Sequence, residues 1–184
     1  LYGETAVLQT YSQSVDILGR YLASKTVSRL GLRNLIWKVP TKRVSKKREK
    51  SLRILRGHLP KKIEFKEGKM NLAVEVGEGQ KSGAFLDLSG FRKWVGSQNL
   101  NGKRVLNLFS YTGTIGLAAE LAGAKEVWNV DISQGALDTA KKYHLQNGKK
   151  HRFIRADIFE WLKTLSEKEK FDLIVVDPPQ MTSQ

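Results

Sequence analysis

Four places in the sequence carry side chains that can do chemistry, and each one closes a short apolar run. The first is Val105-Leu-Asn-Leu-Phe-Ser-Tyr-Thr-Gly-Thr-Ile-Gly116, a hydrophobic stretch ending in a polar, aromatic turn. The second is Asp131, the last residue of EVWNVD. The third is Asp157, just past HRFIR, and the fourth is Asp177-Pro178-Pro179, immediately after FDLIVV. Ligands of parallel α/β sheets gather at the carboxyl ends of the strands, which is where these four groups would lie.

The glycine count narrows the ligand. A pyrophosphate needs a glycine-rich cradle at a helix N-terminus, but the first turn has only Gly113 and Gly116 and no Gly-x-Gly-x-x-Gly. That argues against an oxidoreductase with a dinucleotide. S-adenosylmethionine has no phosphate; its sulfonium and zwitterionic amino acid need one or two glycines for close approach, with polar groups around them. Asp131 could accept both hydroxyl protons of an adenosine ribose, each charge-assisted bond contributing roughly 1.5–3 kcal/mol. Asp157 could accept from an adenine amino group, with Ile158 packing on the base. Either acid could instead cap a helix, although Ser133 already supplies a cap after Asp131. The two prolines after Asp177 fix a rigid bend, which could hold the edge of a base taken out of its stack.

These residues need a scaffold, and the carboxyl-terminal half supplies its pattern. Strands are expected at 103–109, 126–131, 151–155 and 171–176, with helices at 114–123, 133–146 and 159–165. Strands separated by helices of this length imply a parallel sheet. The fold class is therefore α/β, a Rossmann-like sheet of about four parallel strands over 96–184, preceded by a small α+β domain over 1–95. Within the latter, strands are expected at 3–10 and 32–39. A helix from Ser12 would carry Val15, Leu18, Leu22 and Leu30 on one face, and 63–76 would form a hairpin with Glu67-Gly68 at its tip. The segment 77–87 has three glycines in its first seven residues, a short helix is expected at 89–95, and 96–102 reads as a linker.

The chain has 184 residues, 40% of them hydrophobic, and a net charge of +14. Residues 38–62 hold eleven Lys or Arg and one acid, Glu49. Charge of that density repels itself unless a polyanion neutralises it, so the stretch reads as an RNA-facing arm, with Lys42, Arg43, Lys46, Lys47 and Arg48 as candidate contacts. There is no Cys, which excludes disulfides, thiolate nucleophiles and Cys-based zinc sites within these residues. The three His have no metal-ligand spacing, so no metal is expected. No apolar run is long enough for a membrane span and no signal peptide is evident, so a cytoplasmic protein is expected. The chain starts at Leu1 and not Met, so it is expected to be part of something longer.

At these motifs the sequence resembles class I S-adenosylmethionine-dependent methyltransferases that modify large-subunit ribosomal RNA, in their cytosine-C5 and guanine-N7 branches. The matching stretches are GQKSGAFLD (79–87), VLNLFSYTGTIGLAAELAGA (105–124), VDISQGALDTAKK (130–142), NG (147–148), FIRADIFEWL (153–162) and FDLIVVDPP (171–179). The resemblance implies that Phe109, Tyr111 and Gly113 line the methionine end of the cofactor, that Asp131 binds ribose and Asp157 adenine, and that Asp177, Pro178 and Pro179 stand at the reaction centre. It places Lys81 and Arg92 near cofactor and RNA. The chain departs from the family at Leu88-Ser89, and at Gln180-Met181 after the prolines. The expected reaction is methylation of cytosine C5 in 23S ribosomal RNA. Alternatives are guanine N7, a small-molecule methyltransferase, or a non-catalytic RNA-binding module on the same fold.

Overall fold

The computed structural model describes residues 1–39, 52–76, 84–144 and 150–179. The chain divides into two compact units, Leu1–Phe65 with Ala73–Gly83, and Lys66–Leu72 with Ala84–Gln184. Residues 84–95, expected in the first domain, cluster with the second unit, as do Lys66–Leu72.

The first unit begins with a strand–helix–strand crossover: β1 (Thr5–Gln9), α1 (Asp16–Arg29) and β2 (Asn34–Lys38), with β1 and β2 parallel. Helix α1 covers one face of this pair through Val27, packed with Ala6 and Leu35 and flanked by Leu8, Ala23 and Leu32. The helix forms where its pattern indicates, but the expected apolar face is corrected: Val15, Leu18, Leu22 and Leu30 are all exposed. The stripe that packs is offset from them, running through Gly19, Ala23 and Val27, whose small or β-branched side chains let the helix lie close to the strands. Strand β3 (Leu52–Arg56) pairs antiparallel with β2 at the sheet edge. It occupies part of the stretch expected to be a basic arm; the candidates Lys42, Arg43, Lys46, Lys47 and Arg48 lie outside the described residues. The hairpin is β4 (Ile63–Glu67) with β5 (Met70–Val74), turning through Gly68 at positive φ.

The second unit contains α2 (Ser89–Gly96) and then an alternation: β6 (Arg104–Leu108), α3 (Thr114–Leu121), β7 (Glu126–Asp131), α4 (Gln134–Thr139), β8 (Lys150–Arg155), α5 (Ile158–Thr164) and β9 (Leu173–Val176). All four strands are parallel, in the order β8-β7-β6-β9. After α4 the chain widens into a π-helical turn, Ala140–His144. The strands alternate sharply. Leu106, Leu108, Trp128 and Val130 face α5 and form the core with Ile158. The opposite face carries Val105, Asn107, Val127 and Asn129, under α3. Ile174 and Val176, at the β9 edge, remain exposed.

Candidate active site

The strand order places the site. From β6 the chain steps outward through β7 to β8, then returns to the other side of β6 as β9. Connections leaving β6 and β9 therefore diverge, and the crevice at their carboxyl ends is the topological switch point where such sheets bind ligands. Leu108 pairs with Val176 and with Val130, and Val130 with Ile154. The turn after β6, Asp131, Asp157 and Asp177-Pro178-Pro179 thus sit on adjacent strand tips, in the order that the sequence pattern implies.

The turn after β6 has an uncommon backbone. Phe109 (φ 56°) and Tyr111 (φ 47°) both occupy the left-handed region, as does Gly113 (φ 71°). For bulky aromatic residues this conformation is costly, and such strain clusters at functional sites. Surrounding contacts hold it in place. The Asp131 carboxylate, only 6% exposed, accepts the Tyr111 N–H at Oδ2 and the Ser133 N–H at Oδ1, each at 2.8 Å. Ser110 N–H donates to the Val130 carbonyl. His144 Nδ1 donates to the Thr112 carbonyl at 2.6 Å, tying the end of the α4 segment to the turn. The Tyr111 ring meets Phe85 edge-on at 5.3 Å, and Phe109 meets Phe159 at 6.0 Å.

Beneath the turn lies a pair that sequence reasoning missed. Asn107 and Asn129 are register partners, both fully buried, and the Asn107 amide donates to Asn129 Oδ1 at 3.0 Å. A Cβ on Gly116 would sit 2.6 Å from that Asn129 oxygen. Gly116 is therefore glycine because α3 crosses directly over the amide pair, rather than to cradle a phosphate. The signal available in sequence was two Asn at matching positions of successive strands, legible only once the register is known.

Each remaining candidate has a definite place. Asp157 caps α5, its Oδ1 accepting from Phe159 and Glu160 N–H, which leaves Oδ2 without a partner among the described residues. The capping alternative is thus realised by one oxygen alone. Ile158 is corrected: at 4% exposure its side chain belongs to the core with Leu106 and Trp128, so it does not present a packing face to a base. Asp177, Pro178 and Pro179 are exposed at the tip of β9. Arg92 is also corrected. Expected at an RNA surface, it is 0% exposed; its guanidinium forks onto both Glu67 oxygens (2.7 and 2.5 Å) and donates to the Phe85 carbonyl at 2.8 Å. Buried Arg–carboxylate forks of this kind fix geometry, and here the one fixed is Phe85 against Tyr111. Lys81, Gln180 and Met181 lie outside the described residues. Among the described residues no cluster of acidic or His side chains could hold a metal, and no helix is long and apolar enough to cross a membrane.

The residue set suits a nucleoside joined to an amino acid better than a pyrophosphate. Ser110 Oγ and Thr112 Oγ1 are buried hydroxyls without a partner among the described residues. Asp131 keeps spare lone pairs after its two backbone bonds, since a carboxylate has about four acceptor sites. Comparison with known proteins agrees. The family model for S-adenosylmethionine-dependent methyltransferases matches residues 43–184. The chain belongs to this methyltransferase family.

Curated relatives sharpen the likeness. Ribosomal RNA large subunit methyltransferase I of Aeromonas salmonicida is 43% identical over 132 residues, 69% of this chain and 33% of that protein. Its counterpart in Photobacterium profundum is 41% identical over 125 residues, 66% of this chain and 31% of that protein. The chain spans about a third of the length of these relatives. Among solved structures, a Streptococcus mutans protein assigned as a SAM-dependent methyltransferase superposes with a TM-score of 0.81 at 24% identity, over 97% of this chain and 47% of that one. A tRNA methyltransferase of M. jannaschii superposes at 0.70 with 18% identity, over 98% and 52%. These structural likenesses establish the class I methyltransferase fold.

Proposed function

We propose that this chain is the cofactor-binding part of an S-adenosylmethionine-dependent enzyme that methylates a base of large-subunit ribosomal RNA. The observation that carries this reading is the convergence of Asp131, the strained 109–113 turn and Asp177-Pro178-Pro179 on adjacent strand tips at the switch point. S-adenosylmethionine, when bound, supplies an electrophilic methyl on a sulfonium whose departure leaves a neutral thioether. The protein's task is alignment, and well-aligned partners can gain roughly 7–11 kcal/mol at the extreme. Asp131 would accept the ribose hydroxyls, Asp157 Oδ2 the adenine amino group, and the Phe109–Gly113 turn would surround the methionine end. Asp177 and the two prolines would hold the edge of an extruded base. The curated relatives, all named as methylating large-subunit ribosomal RNA, support the substrate class.

The finer reading is cytosine C5 of 23S ribosomal RNA. That reaction needs a thiolate to add at C6 before the methyl moves, and none of these 184 residues is a cysteine. A second reading is guanine N7, whose lone pair attacks directly and needs no thiolate. The test has two stages. Calorimetry of this chain with S-adenosylhomocysteine should show binding that Asp131→Ala abolishes; unchanged binding in the variant would remove the basis of the reading. Tritiated methyl transfer to large-subunit RNA, followed by nucleoside chromatography, then separates 5-methylcytidine from 7-methylguanosine.

A further inference from the structure

The first unit carries arginines that the reading above does not use, and they share one seam. Trp37 lies on the α1-facing side of the small sheet, two residues after core residue Leu35 and opposite Arg53 in β3. Its indole N–H donates to Thr10 Oγ1 at 2.9 Å, and only 4% of the residue is exposed. Two guanidiniums lie against this fixed ring, Arg20 from α1 at 4.9 Å and Arg53 from β3 at 5.0 Å from its centroid. One α-helical stretch further along, Arg56 of β3 donates to Ser28 Oγ of α1 at 3.2 Å. Arg20, Arg53 and Arg56 are all exposed.

We propose that this seam between α1 and edge strand β3 is a track for an RNA phosphate backbone, which deepens and rests on the reading of RNA as substrate. Three physical arguments converge. Arg20 and Arg53 share one ring, so no more than about 10 Å separates them, roughly a Debye length at 0.1 M salt. At that spacing one polyanionic strand can reach both side chains. Arg20 and Arg56 form no ion pair with a carboxylate among the described residues; Arg20 Nε reaches the Asp16 backbone carbonyl and Arg56 reaches a hydroxyl. Finally, a guanidinium held over an indole loses rotamer freedom in advance while its in-plane N–H donors stay available. From Arg20 to Ser28 the helix rises about 12 Å at 1.5 Å per residue, and strand charges recur about every 3.4 Å along a duplex, so the seam spans about three to four phosphates of one strand.

The test is fluorescence anisotropy of a labelled oligouridine with this 184-residue chain, between about 0.05 and 0.2 M salt. The double variant Arg20→Gln/Arg56→Gln should bind on the order of tenfold more weakly. Its slope of log affinity against log salt should be shallower by about 1.4, at about 0.7 per phosphate contact on a single strand. Arg20→Lys/Arg56→Lys should keep most of the slope, which guards against a loss that merely reflects misfolding. The Lys42–Arg48 cations are present in every variant and cancel. Equal losses in Lys168→Gln/Lys170→Gln, on the other unit, would overturn the seam in favour of net charge. So would an unchanged slope, no oligouridine binding by the parent chain, or the same losses on phosphatidylglycerol vesicles with no preference for RNA. S-adenosylhomocysteine calorimetry on the same variants keeps the two proposals apart: a failed seam with intact cofactor binding leaves methyl transfer standing, and the reverse leaves the seam.

Discussion

At the amino-terminal end of the parallel sheet, Arg104 and Asp172 are each paired several times over. Arg104 donates to Glu126 (2.7 Å), Glu169 (2.6 Å) and the Lys170 carbonyl (2.7 Å), while Asp172 accepts from Lys103 Nζ and from the Arg104 N–H. Trp128 lies between Arg104 and Arg152 and donates its own N–H to Glu126. One strand-length away, at the carboxyl end, Ser110 Oγ, Thr112 Oγ1, Asn107 Oδ1 and Asn129 Nδ2 are buried without partners among the described residues, and two aromatic residues stand at positive φ. Leaving a buried polar atom unmade costs about 1–3 kcal/mol. The same four strands thus carry an ion-pair network at one end and, at the other, the strained turn and open hydroxyls that the proposed ligand site would use.

The sharpest way to break this contrast is Asp131→Ala. It removes the acceptor for Tyr111 and Ser133 and for the proposed ribose bonds. S-adenosylhomocysteine affinity should fall at least about 100-fold, since each charge-assisted bond contributes roughly 1.5–3 kcal/mol. A calorimetric change under about threefold would contradict the site. Next in size is Gly116→Ala. Its new methyl would meet Asn129 Oδ1 at 2.6 Å, and overpacking of this kind costs about 1–3 kcal/mol. Melting should drop by about 2–12 °C at roughly 2–4 °C per kcal/mol, and Asn129→Ala in the same chain should restore part of it by opening space.

Arg104→Met probes the opposite end. Its loss should cost about 1–2 kcal/mol, since the fork is only partly buried, and it should leave cofactor affinity within about threefold; a large affinity loss would show that the two ends are not separable. The smallest effect is in pH. The Arg104 backbone N–H and then Lys103 hold the Asp172 carboxyl below its usual range. Burial pushes Glu126 up, but the Trp128 N–H and Arg104 outweigh it and hold this carboxyl low as well. Carboxyls depressed in the folded state add stability that is present above their unfolded value, near 4, and lost as pH falls through the folded one. Melting curves of Asp172→Asn should therefore lie below the parent at neutral pH and converge with it in acid; a gap that widens on acidification would reverse the assignment.

Much of the carboxyl-terminal half was legible because its signals are local. The strand ending at Asp131 was placed to the residue, and the strand and helix alternation implied parallel pairing, because buried strands and amphipathic helices differ in period. The first unit was harder. Leu18 and Leu22 read as a core face but point outward, since hydrophobic spacing does not say which of two apolar stripes meets the sheet. Arg92 was placed near RNA by the family resemblance, which carries no depth; only the folded chain brings Glu67 to it across 25 residues.

What the sequence determined by itself was the set of strand tips and the class of ligand they suit, because strand, turn and glycine count are short-range properties. Only the tertiary structure decided which of those groups are spent internally. It put Ile158 in the core, gave one Asp157 oxygen to a helix cap, closed Gly116 over an amide pair and laid Arg20 and Arg53 on one indole. Each of these depends on strand register or helix facing, and those are fixed by packing between residues far apart in the chain.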